Sequence, residues 1–104
     1  MGFFSVIFGK TDNRQLSEAI KGGAFLVDVR TPAEFSAGSV KGAVNIPLDS
    51  VRSQLVKFRN KKTIVVFCRS GSRSSQAKSV LEKNGFKNVV DGRTWQNVNQ
   101  VVNG

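Results

Sequence analysis

Thr63 to Phe67 reads Thr-Ile-Val-Val-Phe, an apolar, largely β-branched run with no polar break. A strand alternates its side chains between two faces, so so uniform a run predicts burial on both. A sheet packed between two layers of helices meets that demand, and the rest of the chain supplies the layers. Asp12 to Lys21 carries Leu16, Ala19 and Ile20 at helical spacing, with Gly22-Gly23 to end it. Ala24 to Val29 is a second apolar run of strand length. Thr31 then caps a turn of helix, with Pro32 at its first position and Glu34 three after the cap, as a capping box requires. Ala43 to Ile46 reads as a short strand closed by Pro47. Leu48, Val51, Leu55 and Phe58 recur every three or four residues and predict an amphipathic helix. Ser74 to Asn84 reads as a helix with Ala77, Val80 and Leu81 inward and Gly85 as its stop. Asn88 to Asp91 is a last strand, and Trp95, Val98 and Val102 mark a terminal helix in which Trp95 reads as core. Strands alternating with helices over short connections predict an α/β domain with a mainly parallel sheet.

Length and composition set bounds. The 104 residues suit one domain, and 39% apolar and 22% charged residues are those of an ordinary globular chain. Residues 1–10 form a separate N-terminal apolar segment, and 11–104 the domain. That segment lacks a basic leading region and a cleavage site, so it does not read as a signal peptide. It is expected to pack on the domain or fray. A weak membrane or partner contact through Phe3, Phe4, Ile7 and Phe8 is the alternative. No apolar run approaches the ~18 residues of a membrane span, and the expected location is cytoplasmic. Net charge is +9, from 16 basic against 7 acidic residues, which favours anionic partners. The bases are scattered from Lys10 to Arg93, with no basic tail and no tyrosine, so nucleic acid is not expected among them. The chain has one cysteine and no histidine. That excludes a disulfide framework, most metal sites and the histidine-based triads. No metal or organic cofactor is expected.

In parallel sheets ligands sit beyond the carboxyl ends of the strands. The loop there is Cys68-Arg69-Ser70-Gly71-Ser72-Arg73, with Ser74 opening the next helix. A cysteine directly after a buried strand is rigidly held. Gly71 lets the loop curl, so that successive N–H groups form an anion-binding nest around the sulfur. The helix adds its positive N-terminal end, and Arg69 and Arg73 add charge. Together these stabilise a thiolate. Taken singly, Cys68 reads as a small buried hydrophobe, the arginines as solvated charges and Ser74 as a helix cap. The combination is far more specific than its parts.

The stretch Val65 to Ser74, VVFCRSGSRS, resembles the active-site loop of rhodanese-type sulfurtransferases. Val27 to Leu48, VDVRTPAEFSAGSVKGAVNIPL, is similar to that family's other signature, with Asp28, Arg30, Glu34, Phe35, Gly38, Gly42, Ala43, Asn45, Ile46 and Pro47 matching. Val89 to Trp95 resembles a third family segment. Two departures stand out: Ser39 where the family usually has histidine or a similar residue, and Asp91-Gly92-Arg93 in place of part of its usual paired glycines. The resemblance implies a three-layer rhodanese-like fold, with a mainly parallel five-stranded sheet and helices on both faces. Asp28, Arg30 and Glu34 read as structural: Asp28 lies within an apolar strand and needs a partner, for which Arg30 is placed.

The implied chemistry is two-step sulfur transfer through a Cys68 persulfide. A small anionic donor such as thiosulfate or a persulfide supplies the sulfur, and a thiol, protein or cyanide acceptor takes it. Arg69, Ser70, Gly71, Ser72, Arg73 and Ser74 form the substrate-binding ring, in which the amides and Arg73 act as the anion hole. A sulfur-carrier or regulatory module with little free turnover is the alternative. Related phosphatases and arsenate reductases carry, as their family pattern has it, a loop one residue longer. Arg73 follows Cys68 by five positions, and Phe67 stands where those phosphatases place histidine. The shorter ring suits a sulfur atom and crowds a phosphate.

Overall fold

The Thr63–Phe67 run becomes strand β3, Ile64–Cys68, and all five of its residues are buried. Burying a Val or Ile side chain contributes roughly 1.5–3 kcal/mol, so this one strand anchors the sheet. The computed structural model describes residues 13–104. The N-terminal segment 1–10 lies outside the described residues. The elements run α1 (Arg14–Lys21), β1 (Phe25–Asp28), α2 (Pro32–Ala37), β2 (Val44–Asn45), α3 (Leu48–Val51), a 3-10 helix (Arg52–Phe58), β3, α4 (Ser72–Lys83), β4 (Val89–Thr94) and α5 (Trp95–Asn103).

The strand order is β2-β1-β3-β4, and every pairing is parallel. The implied sheet had five strands; the described residues contribute four. Alternation along β3 divides the core. Ile64, Val66 and Cys68 face Val51, Phe58, Ala77 and Leu81, from α3, the 3-10 helix and α4. Val65 and Phe67 face Leu16, Ala19 and Val98, from α1 and α5. Helices therefore cover both faces, the three-layer arrangement that the apolar run of β3 demands. Crossing from β1 to β2 and then back to β3 places a topological switch point between β1 and β3. In open parallel sheets that is where ligands bind.

Two local readings are corrected. The stretch from Leu48 to Phe58 is not one amphipathic α-helix. It is a single α turn followed by 3-10 helix, and Gln54 (φ −122°, ψ 32°) leaves helical geometry altogether. Its apolar face is nonetheless the expected one, since Leu48, Val51, Leu55 and Phe58 all join the same core. Helix α4 begins at Ser72, with Gly71 as its N-cap, so Ser74 sits in the first turn and does not open or cap the helix.

Candidate active site

Cys68 ends β3 at the switch point, where the Val29 N–H of the neighbouring chain segment donates to the Phe67 carbonyl at 2.9 Å. The residue is fully buried. Gly71 has φ 101°, in the left-handed region that glycine tolerates best. That turn folds the chain back on the sulfur. The Gly71 N–H donates to Sγ at 3.0 Å and the Ser74 N–H at 3.4 Å. The Ser74 hydroxyl donates to the Gly71 carbonyl at 3.0 Å, which pins the turn, and it also reaches the Arg93 carbonyl at 3.4 Å. Burial pushes the Cys68 thiol up, but the polar groups of Ser74, followed by the Gly71 and Ser70 N–H groups, outweigh it. The thiol is held below its ordinary range. The N-terminal end of the twelve-residue α4 adds its positive potential at the same place.

The arginines divide differently from the sequence reading. The sequence places Arg73 with the amides as an anion hole. Its guanidinium pairs with Glu34, with Nη1 to Oε1 at 2.7 Å and Nη2 to Oε2 at 3.0 Å, and it also interacts electrostatically with Cys68. Glu34 also closes the Thr31 capping box, so one carboxylate both starts α2 and holds the first turn of α4. The Arg73 hydrogen bond, followed by that of the Thr31 N–H, lowers the Glu34 carboxyl to about 2, and Glu34 raises the Arg73 guanidinium. Arg69, Ser70 and Ser72 are exposed. The groups that touch the sulfur are therefore main-chain amides.

Behind the loop lies a buried polar cluster. Asp28 accepts from the Arg30 N–H at 2.9 Å, from Arg30 Nη2 at 2.7 Å and from the Ser39 hydroxyl at 2.6 Å. Arg30 Nη2 also donates to the Gly38 carbonyl, and Asn45 Nδ2 to the carbonyls of Asp28 and Arg30. Ser39 thus supplies a hydroxyl donor to the buried carboxylate. The Arg30 guanidinium lies 5.2 Å from the centre of the Trp95 ring, and Trp95 packs on the α5 side of the core.

On the other flank β4 carries an irregularity. Val66 pairs with Asp91 and Phe67 with Arg93, which leaves Gly92 as the extra residue. A Cβ at Gly92 would lie 2.5 Å from Val98 Cγ2 and 3.1 Å from Val65 Cγ1, so only glycine fits. Arg93 follows with φ 71°, which costs a residue with a side chain about 1–2 kcal/mol. Its N–H donates to Asp91 Oδ1 at 2.9 Å. A methyl group on residue 71 would stand 3.9 Å from Arg93 Cβ, so this arginine borders the Cys68 loop. Three relationships were missed in sequence: Glu34 with Arg73, Ser39 with Asp28, and Arg93 against the loop. The only signal for the last two was the departure from family pattern at those positions.

No group of three or more His, Cys, Asp or Glu among the described residues is placed to hold a metal ion. No helix among them is long and apolar enough to cross a membrane. A cysteine sulfur ringed by amides, between a central parallel strand and a helix, is the arrangement of proteins that work through a Cys loop. The Rhodanese-like domain model matches residues 12–92, and the chain belongs to that family. It is 32% identical over 84 residues to a sulfurtransferase of Allochromatium vinosum, covering 79% of this chain and 78% of that one. It is 37% identical over 65 residues to the thiosulfate sulfurtransferase PspE of Escherichia coli, covering 61% and 62%. Among solved structures it resembles a rhodanese with anions from E. coli, with a TM-score of 0.67 and 31% identity, covering 72% of this chain and 91% of that one.

Proposed function

We propose that this chain is a sulfurtransferase that carries sulfur as a persulfide on Cys68, with residues 11–104 as the transferring unit. The observation that carries this is the pair of N–H groups, from Gly71 and Ser74, aimed at a buried Sγ at the end of β3. Donors so placed favour the thiolate and then the terminal sulfur anion of a persulfide. The Cys68 thiolate attacks the outer sulfur of thiosulfate. A new S–S bond forms, the old S–S bond breaks, and sulfite leaves with its electron pair. In the second step an acceptor thiolate attacks the outer sulfur of the persulfide, and the Cys68 thiolate leaves as the acceptor becomes a persulfide. With cyanide as acceptor the product is thiocyanate. No redox partner is consumed, and ping-pong kinetics follow. The family membership and the sulfurtransferase names of two relatives support the reading. A reducing compartment such as the cytoplasm, where a lone thiol stays unpaired, suits it.

The test is the intact mass of the protein after thiosulfate treatment. One added sulfur atom is expected on the wild type and none on Cys68→Ser. Persulfide retained by the serine variant would refute the assignment. Deleting Met1 to Lys10 should leave transfer within a few-fold of the full chain.

A carrier module with little free turnover is the second reading, favoured by the complete burial of Cys68. A sulfur so enclosed would be loaded or unloaded when a partner opens the loop. The two readings separate by turnover: sustained sulfite release with a small thiol acceptor supports the enzyme, and a single loading event supports the carrier.

A further inference from the structure

Of the arginines around the Cys68 loop, two have a carboxylate partner, and Arg69 lies exposed on the loop itself. Arg30 is committed to Asp28 and Arg73 to Glu34. Arg93 borders the same loop, is exposed, and its guanidinium has no hydrogen-bond or ion-pair partner among the described residues. It keeps a side chain at φ 71°, where glycine would be unstrained. Strain maintained at the rim of a site points to a use for the side chain. Arg93 also lines a polar groove of about 360 Å³ with Asn13, Gln15, Ser75, Lys78 and Asp91. The Ser75 N–H donates to the Gly71 carbonyl at 3.1 Å, so the groove wall and the sulfur loop share one helical turn. Two cations face one carboxylate there, and the Asp91 carboxylate already accepts the Arg93 N–H.

We propose that Arg93, with Lys78, makes this groove the approach for anionic thiols, so that Cys68 exchanges sulfur preferentially with acceptors bearing carboxylates. Arg93 is a specificity-determining residue here, and the Gly71 and Ser74 amides remain the groups on the reacting sulfur. In the transfer concerned the acceptor thiolate takes the outer sulfur, the persulfide S–S bond breaks, and the Cys68 thiolate departs. This rests on the sulfurtransferase reading above, and the test includes an arm that does not depend on it.

The full chain and its Arg93→Gln, Arg93→Gly and Lys78→Gln variants are compared in two measurements. In the first, Cys68 is alkylated at one pH by iodoacetate and by iodoacetamide. Taking the ratio of the two rates cancels the thiolate fraction and leaves the field felt by an incoming anion. Arg93→Gln should lower that ratio about three- to ten-fold, with a smaller drop for Lys78→Gln. In the second, the preformed persulfide is discharged by mercaptosuccinate, which carries two carboxylates, and by neutral mercaptoethanol. Arg93→Gln should slow the first about ten-fold and change the second by less than about two-fold. Arg93→Gly should behave alike while melting several degrees higher, since the left-handed backbone is then unstrained. An unchanged alkylation ratio in Arg93→Gln, or equal slowing with both thiols, overturns the proposal. If the wild type forms no persulfide, the sulfurtransferase reading fails and the alkylation ratio alone decides whether Arg93 recruits anions to the cysteine.

Discussion

Arg73 and Glu34 meet through two parallel hydrogen bonds, at 2.7 and 3.0 Å, and so tie the first turn of α4 to the capping box of α2. The pair is partly exposed, with side chains about 30% accessible, so its value lies in geometry more than in energy. It fixes the helix whose Ser74 N–H faces the sulfur.

The pair has a pH signature. Glu34 titrates at about 2 in the fold against 4.5 for a free glutamate. Folding favours the ionised form, so the contribution is complete above about pH 4.5 and is lost as pH falls through about 2. Glu34→Gln should therefore lower stability at neutral pH and flatten the dependence of stability on pH between those limits. Urea unfolding at a series of acidic pH values measures both, and identical curves for the two proteins would show that the pair contributes nothing.

The Cys68 thiol should react with a small electrophile with a midpoint below that of a free cysteine. Ser74→Ala removes the hydroxyl that pins the Gly71 turn around the sulfur and leaves the backbone donors in the chain, so its midpoint should move upward while alkylation still goes to completion. Stopped-flow alkylation across pH makes the comparison. A midpoint at or above that of free cysteine would mean that burial wins over the amides.

Asp28→Ala should destabilise the fold by about 3–5 kcal/mol, because it strands the Arg30 guanidinium in the interior without its counter-charge. Chemical denaturation reads the loss directly. Replacing Asp28 and Arg30 together by apolar residues should recover part of it, since no uncompensated charge then remains buried.

Gly92→Ala should cost roughly 1–3 kcal/mol through overpacking, given the 2.5 Å approach of its Cβ to Val98 Cγ2. Val98→Ala in the same chain should offset part of that loss, although Val98→Ala alone destabilises. Additive effects in the double-mutant cycle would mean that the clash is relieved elsewhere.

Loop length is testable through phosphate chemistry. The wild type should turn over no aryl phosphate above a Cys68→Ser control, whereas a glycine inserted after Gly71 should abolish sulfur transfer. Cys68-dependent phosphatase activity in the unmodified chain would refute the pocket-size reasoning.

Much of this architecture is legible in local sequence. The Thr63–Phe67 run dictates a central strand buried on both faces, and Thr31, Pro32 and Glu34 spell out the start of α2. What escapes is whatever depends on distant partners or on backbone choices with similar periodicity. Leu48, Val51, Leu55 and Phe58 are spaced by three and four, a pattern that an α turn followed by 3-10 helix satisfies as well as an α-helix does. Ser74 looks like a cap because serine favours caps. The left-handed turn at Gly71 moves the helix start to Ser72 and turns Ser74 inward. Glu34 lies 39 residues from Arg73, and nothing local announces that a capping residue also holds the sulfur loop.

Because the atoms facing Cys68 Sγ are largely main-chain N–H groups, the loop's information resides in its path and hardly in its letters. Ser70 and Ser72 point outward, so a saturation library across residues 69–74 should accept nearly any polar residue at those two positions. It should reject every substitution at Gly71, whose φ of 101° no other residue adopts comfortably. The tolerated letters are then open to drift, and chains with the same sulfur cradle can diverge in the face they offer to whatever approaches it.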